Sequence, residues 1–224
     1  LIISAQESGK PFKLNGTLKD LKFQPEMVYL QYQANGEWKT DSTVVNENKY
    51  TFSGQLNEPS QARLRVKYKV GEDGVKVPMS GLRDIATVFI QPGKIKVSAV
   101  DSFSNISVKG SDVHTEYAAL REQEKPFEER MKPLIEKYRE YGKAKDLANQ
   151  NKTEEEIEAI DKEKNEKVYG EFVKAHPESP LAVYALKQFA GYAIDADKTE
   201  PLYNSLSAKN KSYPSAVSFQ QELE

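Results

Sequence analysis

The chain contains no cysteine, only two histidines and a single tryptophan among 224 residues. With no sulfur there is no disulfide, no thiolate metal site and no thiol redox chemistry in these residues. Zinc needs three or four nitrogen, sulfur or oxygen ligands, and His114 and His176 lie in separate elements, neither with a histidine partner three or four residues away. No cofactor is expected. Neither a Gly-rich phosphate loop nor a dinucleotide fingerprint occurs between a strand and a helix, and no nucleophile elbow is present. No run approaches the ~20 apolar residues that cross a bilayer, so no transmembrane segment is expected.

Charge of one sign is also scarce. The formal net charge is −2. Residues 1–110 hold 15 Lys+Arg against 11 Asp+Glu, and residues 111–224 hold 17 against 23. That asymmetry is too mild for a nucleic-acid or membrane-surface partner. Hydrophobic residues make up 38% of the chain, enough to bury a core.

What is present is a single change of rhythm at Gly110-Ser111. Before it, apolar residues alternate in short runs cut by Gly, Pro and Asn; after it they recur every three or four residues amid charge. Strands are predicted over Phe12–Leu18, Met27–Tyr32, a return through Trp38 after the Asn35-Gly36 turn, Tyr50–Leu56, Leu64–Val70, Thr87–Gln91, Lys94–Val100 and Ile106–Lys109. Gly71-Glu72-Asp73-Gly74 and Pro92-Gly93 read as turns. Seven or eight short strands without intervening helices indicate an antiparallel β-sandwich.

The second half reads as helices. Leu120, Phe127, Met131, Leu134, Tyr138 and Tyr141 form a stripe, with the polar Glu124 in one slot. Pro126 predicts a break and Pro133 a kink, because a helix-interior proline costs ~3 kcal/mol relative to alanine. Lys143–Thr153 reads as a mobile loop, and Thr153-Glu154-Glu155-Glu156 as the capping box of a second helix ending at His176-Pro177. Ser179-Pro180 opens a third helix whose stripe is Val183, Leu186, Phe189 and Tyr192, and Pro201 and Pro214 mark two shorter ones. The fold class is therefore α+β, a sandwich followed by a helical segment. The domains are residues 10–110 and 111–224, preceded by residues 1–9 as a signal-peptide remnant or disordered end.

Candidate functional residues are few. His176 suits a helix end, His114 a surface role, and Asp195-Ala196-Asp197 lacks the glycine and glutamate of a calcium loop. The aromatics Tyr29, Tyr32, Trp38, Tyr50, Phe52 and Tyr68 suit strand packing best. Among them Trp38 and Tyr32 are the candidates for an interaction surface.

The order of the pieces carries a resemblance. Phe12-x-Leu14-x-Gly16, Val28-Tyr29-Leu30, Asp41-Ser42-Thr43-Val44, Tyr50-x-Phe52-x-Gly54 with Glu58-Pro59, Val88-Phe89-Ile90-x-Pro92-Gly93-x-Ile95, Gly110-Ser111 and His176-Pro177-x-Ser179 follow one another. This resembles the N-terminal extension of bacterial envelope proteins of the thioredoxin-like, alkyl hydroperoxide reductase and thiol-specific antioxidant type. The resemblance implies a β-sandwich of unknown function and a helical linker ahead of a thioredoxin fold with a Cys-x-x-Cys motif. That family usually has Asp-Gly-Lys where this chain has Glu47-Asn48-Lys49, and no position here matches a catalytic residue. The implied role is a non-catalytic module of a thiol-disulfide oxidoreductase, located in the periplasm or envelope with or without a lipid anchor. Its partners would be the thioredoxin domain of the same polypeptide and a protein client or a second copy. The apolar Leu1-Ile2-Ile3 start also reads as a signal tail, and the terminal Leu223-Glu224 as a vector-derived dipeptide, so the natural chain is expected to continue. The competing expectation is a stand-alone glycan- or peptide-binding sandwich.

Overall fold

The computed structural model describes residues 9–34, 36–70, 77 and 83–223. The chain divides into two compact units, Leu1–Thr115 and Glu116–Glu224, and the division falls in the first turn of a long helix. The protein is α+β: two four-stranded, mostly antiparallel sheets, then helices.

Eight strands build the first unit: β1 (Lys10–Lys19), β2 (Pro25–Ala34), β3 (Glu37–Val44), β4 (Lys49–Leu56), β5 (Ser60–Tyr68), β6 (Ile85–Ile90), β7 (Gly93–Val100) and β8 (Ile106–Lys109). They form the sheets β4-β1-β7-β8 and β3-β2-β5-β6. Alternation is the cause. Phe12, Leu14 and Leu18 of β1, Val28, Leu30 and Tyr32 of β2, and Ala62, Leu64 and Val66 of β5 all point into one shared core. One pairing departs from the antiparallel expectation, since β1 runs parallel to β7 with Leu14 opposite Ile95. Val70 lies past the end of β5 and is exposed. Asn35 and the turn expected at 71–74 lie outside the described residues. So do residues 1–8, where the signal tail was expected, and Glu224.

Two turns hold the sandwich in register. Asn46 and Lys49 exchange backbone hydrogen bonds of 3.0 and 2.9 Å around Glu47 and Asn48, whose φ angles are 49° and 58°. This is the mirror-image two-residue turn that favours Asn and Gly, so the substitution of Asn48 for a customary glycine is accommodated. Gly93, after Pro92, has φ 116°, a conformation closed to most side chains.

The second unit is helical. Helix α1 (Asp112–Ala144) runs unbroken through Pro126 and Pro133, contrary to the expected break. Both prolines are exposed, and cooperativity along 33 residues outweighs two missing hydrogen bonds. Helix α2 (Leu147–Lys164) begins well before Thr153, because Asp146 caps it by accepting from the Asn149 N–H at 3.2 Å. Thr153 lies inside and donates to the Asn149 carbonyl, so it is no cap, and Lys143–Thr153 is no loop. Lys145 at φ 56° reverses the chain within a single turn.

After a π-helical turn (Asn165–Gly170) come α3 (Glu171–Ala175), α4 (Ala182–Ala190), α5 (Ala196–Ser205), α6 (Ala208–Lys211) and α7 (Pro214–Leu223). Pro201 lies within α5 and Pro214 starts α7. Tyr192, assigned to the α4 stripe, lies beyond its end and is fully exposed. The polar Glu124 in the α1 stripe is buried and paired with Arg121, which also reaches Glu128 at 2.9 Å. Asn210, fully buried, donates to the carbonyls of Pro177 and Ser179 at 2.9 and 2.7 Å. No described helix is long and apolar enough to cross a membrane.

Candidate functional site

Strand alternation that sends one set of side chains inward sends the other outward, and the register sorts the outer face of β3-β2-β5-β6 into rows. At one end Trp38 lies opposite Gln33, and Gln61 opposite Phe89, which is buried; Thr40, Gln31, Arg63 and Thr87 lie across the next row. Ser42, Tyr29, Arg65 and Ile85 follow, and then Val44, Met27 and Lys67.

Trp38 is 61% exposed on this face. Tyr32, the other candidate, is 3% exposed and points the opposite way, into the core. Its ring meets Phe12 edge-on at 5.6 Å and its hydroxyl donates to Asp41 at 3.1 Å. Burial foremost, then the Asp41 charge and hydrogen bond, pushes the phenol up to about 12. The two residues therefore share no surface: Trp38 is available to a partner and Tyr32 is a core residue. Adjacent positions on one strand face the same side only in steps of two, and Tyr32 pairs with Lys39 while Trp38 pairs with Gln33. Tyr50, Phe52 and Tyr68 are likewise buried.

The residues around Trp38 were not singled out from sequence. No outward side chain in the four rows is a carboxylate. Lys67 is neutralised by Glu26, at the start of β2, at 2.9 Å. Arg65 lies over the Tyr29 ring at 5.1 Å, and among the described residues neither Arg63 nor Arg65 has an ion-pair partner within the salt-bridge distance. A depression of about 240 Å³ is lined by Tyr29, Gln31, Thr40, Arg63, Arg65 and Ile85. The sequence signal was there in Arg63-x-Arg65-x-Lys67, but only the pairing with β2 shows that Glu26 is taken up by Lys67 rather than by either arginine.

β3 is also an edge. The Val45 N–H donates to the Glu26 carbonyl at 2.9 Å, which sets the phase of the ladder: odd residues of β3 bond to β2. The backbone groups of Trp38, Thr40, Ser42 and Val44 consequently face away from the sheet.

The histidines do other things. The His114 Nδ1 accepts the Phe89 N–H at 3.2 Å, and the neighbouring Ser111 hydroxyl donates to the Phe89 carbonyl at 2.8 Å. Together they close the backbone of β6 at that residue, so His114 is structural where a surface role was expected. Burial lowers its pKa below the ordinary 6.5. His176 is exposed at the end of α3 with its ring 5.1 Å from Phe172. Asp195 caps α5 by accepting from the Lys198 N–H at 3.3 Å. Among the described residues no three His, Asp or Glu side chains are grouped to hold a metal ion.

The arrangement so far is that of a β-sandwich whose β3-β2-β5-β6 sheet exposes Trp38, Arg63 and Arg65 on its outer face. Residues 12–117 match the family model of a domain of unknown function, DUF4369. A solved structure described as the NMR structure of the protein from Eubacterium rectale is similar at 10% identity, covering 47% of this chain and 90% of that one. Its TM-score of 0.24 is too low to carry an argument. A search of curated proteins found no match.

Proposed function

We propose that this chain is the non-catalytic N-terminal module of an exported thiol-disulfide oxidoreductase, and that it positions a thioredoxin-like domain through client binding or self-association. The observation that carries the reading is the ordered series of motifs from Phe12 to Ser179, whose first part coincides with the matched domain at residues 12–117. With no cysteine among the 224 residues, the thiol chemistry of such an enzyme would have to come from another part of it. A second weak contact beside a transiently docking redox domain raises the effective concentration at its cysteines. The periplasm or envelope is the compartment where such chemistry is useful.

Sequencing the gene beyond residue 221 tests this reading. A Cys-x-x-Cys in a thioredoxin-like pattern supports it; an open reading frame without one refutes it. Insulin reduction by the longer protein, with and without these residues, then measures what the module adds.

A second reading is favoured by one observation, the exposure of Trp38 on the sheet face that also carries Arg63 and Arg65. It is a stand-alone envelope module for glycans or peptides. Sugars and peptides both use exposed aromatic platforms flanked by amides and hydroxyls. Trp38→Ala abolishes ligand binding on this reading and leaves any redox activity of a longer protein unchanged.

A further inference from the structure

Resting on the ligand-binding reading of the Trp38 face, we infer that the ligand is an acidic glycan, a chain of pyranose rings bearing carboxylates. Its carboxylates would meet Arg63 and Arg65 while another ring stacks on Trp38.

Charge comes first. Arg63 and Arg65 lie on the same side of β5, two residues and about 7 Å apart, and the β2 carboxylate that reaches this face, Glu26, is held by Lys67 rather than by either arginine. Most protein surfaces intersperse signs, so two neighbouring guanidiniums with no ion-pair partner among the described residues are complementary to an anion. The planar fork of arginine fits a carboxylate with two parallel hydrogen bonds. Arg65 is already held over the Tyr29 ring, so less side-chain freedom is lost when a ligand arrives.

The neighbours of the two arginines specify the rest. Gln31, Gln33, Thr40 and Ser42 offer neutral donors and acceptors suited to hydroxyl-rich rings. Trp38 lies two strands and one two-residue step from Arg63, or roughly 10 Å across and roughly 7 Å along the sheet. That span exceeds a single ring, so the ligand must be an oligomer. An acidic peptide fits less well. Its favoured seat is the open edge of β3, where an added strand lies three strand spacings, roughly 14 Å, from β5 and out of easy reach of both guanidiniums.

The test is calorimetric titration of the whole chain with oligogalacturonate, with its methyl ester, with a neutral oligogalactan of equal length, and with an oligoglutamate peptide. Saturable binding of oligogalacturonate that weakens with added NaCl is expected, with the ester and the neutral oligomer weaker by roughly tenfold or more. Arg63→Gln with Arg65→Gln should reduce the charged ligand to the affinity of its ester. Because esterification removes charge from the ligand, the comparison holds even where the variant folds poorly. Equal affinity for ester and acid, or tighter binding of oligoglutamate, overturns the acidic-glycan inference. Binding of the neutral oligomer or the peptide that depends on Trp38 alone overturns it too, yet leaves the broader binding reading standing. Silence toward every probe overturns both.

Discussion

Gly16→Ala should destabilise the sandwich by about 2–4 kcal/mol, although alanine is the better strand residue. Gly16 lies opposite Tyr50 across β1 and β4, and the Tyr50 ring lies flat against the glycine, where a methyl group would occupy the space of the ring itself. The backbone at Gly16 has no positive φ, so ring displacement alone is responsible. Carbon atoms rest at ~3.5–4.0 Å, so the ring must withdraw from the core. Tyr50 is 3% exposed and edge-on to Phe52 at 6.0 Å, which leaves little room for the retreat. The ceiling on the loss is that of deleting a buried aromatic, ~3–5 kcal/mol, and relief of glycine's chain entropy returns ~0.5–1 kcal/mol. Urea unfolding followed by the near-ultraviolet circular dichroism of the buried tyrosines measures the difference. The decisive comparison is a double-mutant cycle. With Tyr50→Ala already in place, Gly16→Ala should cost nothing, so the coupling should equal most of the single-mutant loss, about 2–4 kcal/mol. Additivity within ~0.5 kcal/mol would refute the ring-contact explanation.

Other expectations test the turn, the histidine and the helical unit. Glu47→Asn with Asn48→Gly should stabilise the sandwich by about 1 kcal/mol, read in the same urea assay, because both positions are left-handed. His114 is held neutral in the fold, with its pKa lowered by burial, while the unfolded chain protonates near 6.5. Stability from this group is therefore complete above that pH and is lost as pH falls below it. His114→Gln should flatten the urea midpoint of the first unit between pH 7.5 and 5; an unchanged slope contradicts the assignment. Asn210→Ala withdraws both donors from the Pro177 and Ser179 carbonyls and should cost the helical unit about 2–4 kcal/mol, measured by urea unfolding at 222 nm. Asn210→Asp should cost at least as much, since a carboxylate would face those same carbonyls.

Much of the fold was legible because strand alternation and turn chemistry are local. Tyr50-x-Phe52 and Leu64-x-Val66 mark inward faces with no knowledge of their partners, and Pro92-Gly93 marks its turn for the same reason. Helix boundaries were less legible. Thr153 has the right spacing for a capping box, but Asp146 caps first, and a helix once nucleated runs through later signals. Of the candidate site, only Trp38 was visible. Its distinction from Tyr32 depends on phase relative to β2, and one residue of phase inverts a strand's faces.

By itself the sequence determined the α+β order, the inward alternation of strands such as β4 and β5 and the exclusion of thiol chemistry, because composition and short-range periodicity need no partner. Tertiary structure alone decided that β1 runs parallel to β7 and that α1 carries two prolines without breaking. It also decided that Arg63 and Arg65 share a face with Trp38, and that Glu26 pairs with Lys67 rather than with them. Strand pairing joins residues tens of positions apart, and the electrostatic character of a sheet face belongs to the strands it brings together rather than to any one of them.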